Sequence, residues 1–443
     1  MGRTAGPVQT EFMSARAHLD DLAAFVVASP SSYHAAAEVA QRLNGAGFTR
    51  LDEADAWPKP VDGHGTVPEA GGYYVIRDGA IIAWRLPAAG ADEAALGFRI
   101  VGAHTDSPGF KLKPQPSAYA FGWAQAAMEV YGGPLLNSWL DREFGLAGRV
   151  ITRSGEVRLV STPAWLRIPQ VAPHLDRSVN DNLHLDKQVH LKPVFSTGAT
   201  DLLSALAAGL DLRADDIDGF DLFAAVTEAP AVIGVAGEFL ASPRLDNLSS
   251  VHAGLAALLS SEASDQVQVL ACFDHEEIGS DSRSGASGPF LADLLARIAD
   301  GLGWRGETWQ RALATSFVIS ADAGHSVHPN YPQLHDPDHR PIVNAGPLLK
   351  VNANQRYTTE GPSAARWLRI CRAAGVPTQP FVSNNAVPCG STIGPLTATR
   401  LGIASVDVGI PLLSMHSARE LCGAQDPWWL AQALGAFYAG SEA

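Results

Sequence analysis

The sequence contains few cysteines, and their spacing excludes two kinds of small metal-bound or cross-linked architecture. Only four occur among 443 residues, and they lie far apart, at Cys272, Cys371, Cys389 and Cys422. Zinc ribbons and disulfide frameworks need closely spaced cysteines such as CxxC pairs, so neither is compatible with this pattern. We therefore expect buried thiols in a reducing compartment and place the protein in the cytoplasm.

Long apolar runs and runs of basic residues are also missing. No apolar stretch approaches the roughly 20 residues needed to span a bilayer. The amino-terminal region has one short apolar patch that follows acidic residues rather than a basic segment, so we expect neither a signal peptide nor a membrane anchor. The formal net charge of −14 makes nucleic acid a poor partner, because phosphate binding relies on clustered Lys and Arg.

The composition that remains is that of a globular protein with more than one domain. Apolar residues make up 46% of the chain and charged residues 18%, which is ample for a buried core. At roughly 150 residues per domain, the length favours two or three domains. We predict two, because residues 108–236 contain short β-type segments and many prolines. This segment would be a β-rich insert in a main domain formed by residues 1–107 and 237–443.

Outside the insert, strand patterns alternate with helical ones. Short, mostly apolar segments such as FRIVGAHTD, VQVLACFDHEE, SFVISADAG and IASVDVGIPLL predict strands, the first of them buried on both faces of a sheet. Helical periodicity marks LDNLSSVHAGLAALLSS, FLADLLARIADGL and GPSAARWLRICRAAG. Strands and helices in turn predict an α/β fold, a three-layer sandwich with a mostly parallel central sheet.

Imidazole and carboxylate side chains follow several of these strands. In open α/β sheets the functional residues gather beyond the carboxyl ends of the strands. Residues of this type are His104 and Asp106, Glu276 and Glu277, Asp322, His416, and Asp246 in a loop that enters a helix. Mixed nitrogen and oxygen ligands suit two adjacent divalent cations of borderline hardness. The sequence therefore predicts a two-metal hydrolytic site.

The ligand roles follow from what such a site needs. One carboxylate must bridge the two metals, and Asp246 is the natural candidate. His104 and Asp322 would complete one metal, while Glu277 and His416 would complete the other. This arrangement leaves room for a shared water that attacks a carbonyl carbon.

Two acids beside the ligands have supporting roles in this hypothesis. Glu276 is adjacent to a ligand but free of the metal, so we assign it as the general base that moves a proton from the water to the leaving amine. Asp106 lies two residues after His104 and would orient that imidazole, as metal-bound histidines usually require. Other histidines are interpreted as structural: His184, His190, and the proline-rich cluster of His325, His328, His335 and His339.

Eight segments, in order along nearly the whole chain, resemble the signature blocks of the aspartyl aminopeptidases, which are cytosolic two-zinc metallopeptidases. They are GAHTDSPGFKLKP, SWLDREFGLAGRV, PRLDNLSS, DHEEIGSDSRSGA, ADAGHSVHPNY, GPLLKVNANQRYT, PCGSTIGP and SMHSARE. The resemblance implies the same five metal ligands and the same base. It also implies removal of N-terminal residues, preferably Asp or Glu, from peptides. Two zinc ions per subunit are implied, with cobalt or manganese as alternatives.

The resemblance further implies an assembly and two more site residues. The insert corresponds to the family's dimerisation domain, and the members form tetrahedral dodecamers built from dimers. His174, in IPQVAPHLDRSVN, matches a histidine that reaches into the neighbouring subunit's site and stabilises the tetrahedral intermediate. Lys350 matches a lysine near the substrate pocket and is the candidate partner for an acidic substrate side chain, with an exposed structural lysine as the alternative.

One segment departs from the family pattern. The family commonly has Asn-Asp shortly before PCGSTIGP, whereas this chain has Ser383-Asn384-Asn385-Ala386-Val387, without a carboxylate. The acidic preference therefore depends on the family resemblance alone. The alternatives are a two-metal N-acyl deacylase or carboxypeptidase on the same core, and a catalytically idle shell-forming protein. The complete ligand set disfavours the last of these.

Overall fold

The computed structural model describes residues 15–57, 71–87 and 96–441. The prediction about an amino-terminal signal falls partly on residues 1–14, outside this range. The helices of the described part are α1 (Ala15–Ala28), α2 (Ser32–Gly45), α3 (Leu202–Ala208), α4 (Leu245–Ser260), α5 (Phe290–Gly301), α6 (Glu307–Thr315), α7 (Gly361–Ala374), α8 (Ile393–Leu401) and α9 (Asp426–Ala439). Among these residues, no helix has the length and apolar character needed to cross a bilayer.

The strands fall into three sheets. They are β1 (Thr49–Arg50), β2 (Gly72–Arg77), β3 (Ala80–Arg85), β4 (Phe98–His104), β5 (Gly109–Ala120), β6 (Trp123–Tyr131), β7 (Glu143–Thr152), β8 (Val157–Ser161), β9 (Leu166–Arg167), β10 (Val194–Thr197), β11 (Ile217–Val226), β12 (Ala231–Ile233), β13 (Phe239–Ser242), β14 (Val267–Phe273), β15 (Phe317–Ala321), β16 (Gly324–His325), β17 (Leu348–Val351), β18 (Gln379–Val382), β19 (Ala404–Gly409), β20 (Pro411–Leu413) and β21 (Glu420–Gly423).

The central sheet has the order β1-β2-β3-β14-β4-β15-β19-β17-β18. Its middle strands β14, β4, β15 and β19 are parallel neighbours. Every residue of β14 and β15 is buried, which explains why these strands are mostly apolar rather than alternating. The mostly parallel sheet predicted from the sequence is confirmed.

Helices cover both faces of this sheet. On one face, α1, α2, α4, α7 and α9 share a core with the strands. On the other face, α5 contributes Phe290, Leu291, Leu294, Leu295 and Ile298, whose spacing forms the apolar stripe of an amphipathic helix. The predicted three-layer sandwich is therefore confirmed.

The second sheet is built from β5 to β11 and has its own core. Its order is β11-β5-β6-β10-β9-β7-β8, and β11 also pairs with β7, so the sheet closes into a barrel. Phe110, Phe144, Leu146 and Leu222 fill the interior together with Leu206 of α3. The β-rich character of the insert is confirmed, whereas the domain boundaries at 107/108 and 236/237 stay a prediction.

The third sheet, with the order β12-β13-β21-β20-β16, is not evident from the sequence. The segment IASVDVGIPLL predicts one strand, but it divides between β19 in the central sheet and β20 in the third. Gly409 ends β19, and a Cβ there would lie 1.7 Å from the backbone oxygen of Asp322, so the chain passes too close for any side chain. The third sheet places the two loops that carry Asp246 and His416.

A pair of histidines is buried between α1 and α4, far along the chain from each other. His18 is 1% exposed, and its ring centroid lies 4.6 Å from that of His252. His252 Nε2 lies 2.7 Å from Asp21 Oδ2, which also accepts a hydrogen bond from Arg42. Burial, reinforced by the neighbouring His252, lowers the pKa of His18 to about 3.

Replacing His18 is expected to change how stability depends on pH. The folded pKa of His18 lies below the ordinary value of 6.5, so the unfolded chain binds more protons at acidic pH. The free energy of unfolding of the native chain therefore falls as the pH drops from 6.5 towards 3, by about 1.4 kcal/mol per pH unit for one proton. Urea titrations between pH 6 and 4 would measure the free energy of unfolding. In His18→Gln, the fall in this free energy per pH unit should be smaller by about 1.4 kcal/mol, the contribution of one proton. Equal slopes would contradict the prediction.

Candidate metal centre

The acids and imidazoles predicted from strand ends meet at one edge of the central sheet. His104 is the last residue of β4, and Asp322 directly follows the neighbouring strand β15. Glu276 and Glu277 begin a short 3-10 turn just beyond β14, which pairs with β4 on its other side. The parallel register brings these ends together, as expected for the carboxyl edge of an α/β sheet.

Two further residues reach this edge from the third sheet. Asp246 follows β13 and lies in the first turn of α4. His416 lies in the connection between β20 and β21 and has a left-handed backbone conformation, with φ of 65°. Because β13 and β21 are antiparallel neighbours, their loops approach the same edge of the central sheet.

Asp246 lies between the two histidines. Its Oδ1 is 3.3 Å from His104 Nε2, and its Oδ2 is 3.5 Å from His416 Nε2. Asp322 Oδ1 is 3.7 Å from His104 Nε2, and Glu277 Oε2 is 3.4 Å from His416 Nε2. Ligand atoms of His104, Asp246 and Glu277 also lie within 4.8 Å of one another, so Glu277 is near His104 as well as His416. Its 3.4 Å distance to His416 Nε2 places it beside that histidine.

Asp106 fixes one histidine and the turn that carries the two glutamates. Its Oδ1 and Oδ2 accept hydrogen bonds from the backbone N–H groups of Glu276 at 3.0 Å and Glu277 at 3.1 Å. Tyr131 of the barrel donates to Oδ2 at 2.8 Å. His104 Nδ1 donates to the backbone oxygen of Asp106 at 3.0 Å, which directs Nε2 towards the other acids.

His416 is held by the segment that follows β6. Its Nδ1 donates to the backbone oxygen of Gly133 at 3.0 Å, so its Nε2 faces Asp246 and Glu277. The backbone N–H of Leu135 donates to the His416 oxygen at 2.9 Å. The barrel side of the molecule thus orients the second histidine, while the central sheet orients the first.

Negative charge is concentrated at this edge beyond what the nearby bases balance. Burial raises the pKa of Glu276, His104 opposes this shift, and the carboxylates of Asp322 and Asp246 add to it, so that the pKa lies at about 8. Burial lowers the pKa of His416, but Asp246 and Glu277 outweigh it and raise the value to about 10. The carboxylates are Asp106, Asp246, Glu276, Glu277, Asp322 and Glu420, against His104, His416 and Lys350 as bases.

The oxygen and nitrogen atoms of this centre suit divalent cations. Asp246 Oδ1 and Glu277 Oε1 are buried and have no hydrogen-bond partner among the described residues. Buried carboxylate oxygens without donors are costly, and a cation between them and the imidazoles would satisfy both. Imidazole nitrogen and carboxylate oxygen are the ligands that zinc commonly takes in catalytic sites.

Comparison with known proteins agrees with this chemistry. The profile of the aminopeptidase I zinc metalloprotease family (M18) matches residues 25–438. The chain belongs to the M18 family. A probable M18 family aminopeptidase 2 of Streptomyces avermitilis is 52% identical over 435 residues, which cover 96% of this chain and 98% of the relative.

Solved structures of similar proteins extend the comparison to the fold. Ape4, in its complex with Nbr1, is 34% identical with a TM-score of 0.90, and the match covers 97% of this chain and 87% of Ape4. The S. cerevisiae mApe1 dodecamer is 27% identical with a TM-score of 0.83, covering 96% and 98%. This M18 chain is therefore a metal-dependent aminopeptidase, which favours the predicted activity over the deacylase, carboxypeptidase and idle-shell alternatives.

Lys350 of this M18 chain is buried, not an exposed structural lysine as in the alternative interpretation. It is 1% exposed, and its Nζ donates to the backbone oxygen of Ala323 at 2.6 Å. The same ammonium lies 4.0 Å from Asp322 Oδ2 and 5.3 Å from the ring centroid of Tyr357. Its role in substrate binding stays a prediction.

A cavity of about 430 Å³ lies next to the His416 loop, and no Asp, Glu, Lys or Arg of the described residues lines it. Leu135, which bonds to the His416 backbone, forms part of its wall. The segment that lacks the family carboxylate contributes Asn384 and Val387. Other lining residues include His325, His328, His335, Tyr357, Phe381 and Leu412.

His174 lies apart from the centre. It belongs to the exposed connection of residues 168–193 between β9 and β10, and no contact among the described residues joins it to the cluster. Leu175 and Val189 in the same connection are 82% and 63% exposed. The structure of one chain does not bring this predicted residue to the site.

Sequence reasoning did not identify Glu420, Tyr131 or Gly133, all of which support the centre. Glu420 has a usable signal, because it lies four residues after His416 in the SMHSARE segment. Tyr131 and the backbone oxygen of Gly133 have no such signal, since they come from the end of a barrel strand.

Proposed function

We propose that this aminopeptidase uses two metal ions that share Asp246 and removes N-terminal residues from peptides. His104 and Asp322 would hold one ion, and His416 and Glu277 the other. The observation that carries this proposal is the orientation of the Asp246 carboxylate, whose two oxygens lie 3.3 and 3.5 Å from different histidines. A carboxylate that served one ion would not need both oxygens directed at separate imidazoles.

The other residues of the centre would handle the proton and the geometry. Two bound cations would polarise the scissile carbonyl and make a water molecule acidic near neutral pH. Glu276 Oε2 lies 4.0 Å from His104 Nε2, and the Glu276 side chain is 16% exposed, more than those of the three neighbouring carboxylates. We assign it as the base that takes a proton from the water and passes it to the leaving amine. Asp106 would hold Glu276 and His104 in position through its hydrogen bonds to the Glu276 backbone N–H and to His104 Nδ1.

Zinc is the metal of the family, and we propose two zinc ions per subunit. Carboxylate-rich sites with imidazoles accept several divalent ions, so cobalt or manganese would also be expected to bind. We also propose a cytoplasmic location, which is supported by four free cysteines.

We further propose that the chain forms a dodecamer built from dimers, as the S. cerevisiae mApe1 dodecamer suggests. The predicted dimerisation domain, residues 108–236, contains the exposed connection of residues 168–193. Connections this long without regular structure are usually functional or disordered. A second copy of the chain would cover the exposed apolar side chains of this connection, which are Val171, Leu175, Leu183 and Val189. His174 would then reach the metal centre of the neighbouring subunit.

For the substrate we propose peptides with an N-terminal Asp or Glu. The family resemblance supports this preference, and the cavity beside His416 has no carboxylate to repel an acidic side chain. A second candidate is a neutral, apolar N-terminal residue, because Tyr357, Phe381 and Leu412 give the same cavity an apolar wall.

A panel of chromogenic aminoacyl substrates separates these proposals. Asp, Glu, Leu, Lys and Ala derivatives would be tested with zinc, cobalt or manganese, each with a free and an acetylated amino group. We expect the Asp and Glu derivatives with a free amino group to react fastest. Faster turnover of Leu would overturn the acidic preference but not the aminopeptidase assignment. If only the acetylated substrates reacted, the proposed removal of N-terminal residues with a free amino group would be overturned.

A further inference from the structure

Glu420, the first residue of β21, connects the two ligand groups through their backbones. Its side chain is buried, with 2% of the residue exposed. Oε2 accepts a hydrogen bond from the backbone N–H of Asp246 at 3.0 Å, and Oε1 accepts one from the backbone N–H of His416 at 2.8 Å. One carboxylate thus joins the candidate bridging residue to a candidate ligand of the second ion.

The peptide of Asp246 is fixed from its other side as well. Ser107 Oγ donates to the backbone oxygen of Asp246 at 2.7 Å. Glu420 and Ser107 therefore hold the N–H and the C=O of the same residue.

A purely structural role explains this arrangement poorly. Glu420 adds another acid to an edge already crowded with carboxylates, and burying a charge there is unfavourable unless its bonds are satisfied. A neutral side chain could fill the same space. A carboxylate, however, has two acceptor oxygens, and only two acceptors can hold both backbone N–H groups at once.

We propose that Glu420 is a positioning residue that sets the separation of Asp246 and His416 before metal binds. It touches neither substrate nor reacting atoms. Instead, it reduces the reorganisation that metal binding would otherwise require of two loops from different strands. This inference rests on the proposed metal ligands, Asp246 and His416.

The chain offers a matched control six residues further on. Asp426, on α9, is completely buried, and its carboxylate also accepts two backbone N–H groups. The donors are Asn344 at 2.7 Å and Gly346 at 3.1 Å, neither of which belongs to the metal centre. Asp426→Asn therefore removes the same kind of double hydrogen bond without touching the ligands.

The test compares Glu420→Gln with Asp426→Asn in the full chain. Each purified protein would be stripped with a chelator and then titrated with zinc against a chromogenic chelator. Thermal unfolding without metal would report the loss of fold stability alone. We expect both variants to unfold at lower temperature. Zinc affinity should fall about 10- to 100-fold in Glu420→Gln, as for other residues that orient ligands, and should be unchanged in Asp426→Asn.

Native zinc affinity in a folded Glu420→Gln protein would overturn the proposal, as would an equal loss of affinity in Asp426→Asn. If Glu420→Gln does not fold, Glu420→Asp replaces it. That variant keeps the charge but is too short to reach both N–H groups, so the same loss of affinity is expected. Zinc titration of the native chain tests the two-metal function separately from the role of Glu420. A single bound ion per active subunit would contradict the two-metal function. A selective effect of Glu420→Gln could still be measured on the affinity for that ion.

Discussion

Replacing the assigned base, Glu276→Gln, is expected to lower kcat by on the order of 10²–10⁴-fold, the usual contribution of general acid–base catalysis. The amide keeps the size of the side chain but cannot accept a proton from water. The backbone N–H of Glu276 still donates to Asp106 at 3.0 Å, so the turn should stay in place. Steady-state kinetics with a free-amine substrate would measure the effect.

Glu277→Gln provides the comparison that separates a base from a ligand. Glu277 lies 3.4 Å from His416 and is expected to bind metal, so its replacement should weaken zinc binding. Glu276→Gln should keep native zinc affinity with little catalysis. Normal turnover in Glu276→Gln would remove the base assignment. Loss of zinc from that variant would instead make Glu276 a ligand.

Replacing His174 is expected to lower kcat by on the order of 10²–10³-fold, the effect of removing one donor to a tetrahedral intermediate. The residue is exposed and lies outside the site of its own chain, so His174→Ala should fold and assemble normally. Light scattering would confirm the oligomer, and kinetics would measure kcat. Undiminished activity in an intact assembly would contradict the role in a neighbouring site.

Mixing two inactive variants tests whether His174 acts between subunits. A His174→Ala subunit retains Glu276, and a Glu276→Gln subunit can supply His174 to it. Random re-pairing in symmetric dimers should therefore restore about one quarter of native activity. If His174 acted within its own chain, no mixed dimer would contain a complete site, and activity would not return.

Much of the centre was predictable because parallel strands end at a common edge. His104 ends one buried, mostly apolar strand, and Glu277 and Asp322 follow two others, so that pattern alone places them together. Long helices such as α4 and α7 were predictable from their periodicity. Short elements were not: β13, β20 and β21 have only three or four residues each, too few to show a pattern.

Contacts between distant segments were beyond sequence reasoning. Closure of the barrel joins β7 to β11 across a long connection, and nothing local in either strand indicates the partner. Lys350 is buried although lysine is usually exposed, because Ala323 and Asp322 satisfy its ammonium group. The position of Glu420 in the SMHSARE segment could have marked it, but its hydrogen bonds to the backbone N–H groups of Asp246 and His416 could not be read from the sequence.

The proposed mechanism depends most directly on two metal ions that share Asp246. The measurement is the divalent metal content of the native protein at full activity, together with a titration of metal-free protein with zinc while activity is followed. The proposed centre predicts two ions per subunit, with full activity only when both are bound. Full activity with one ion per subunit would contradict it.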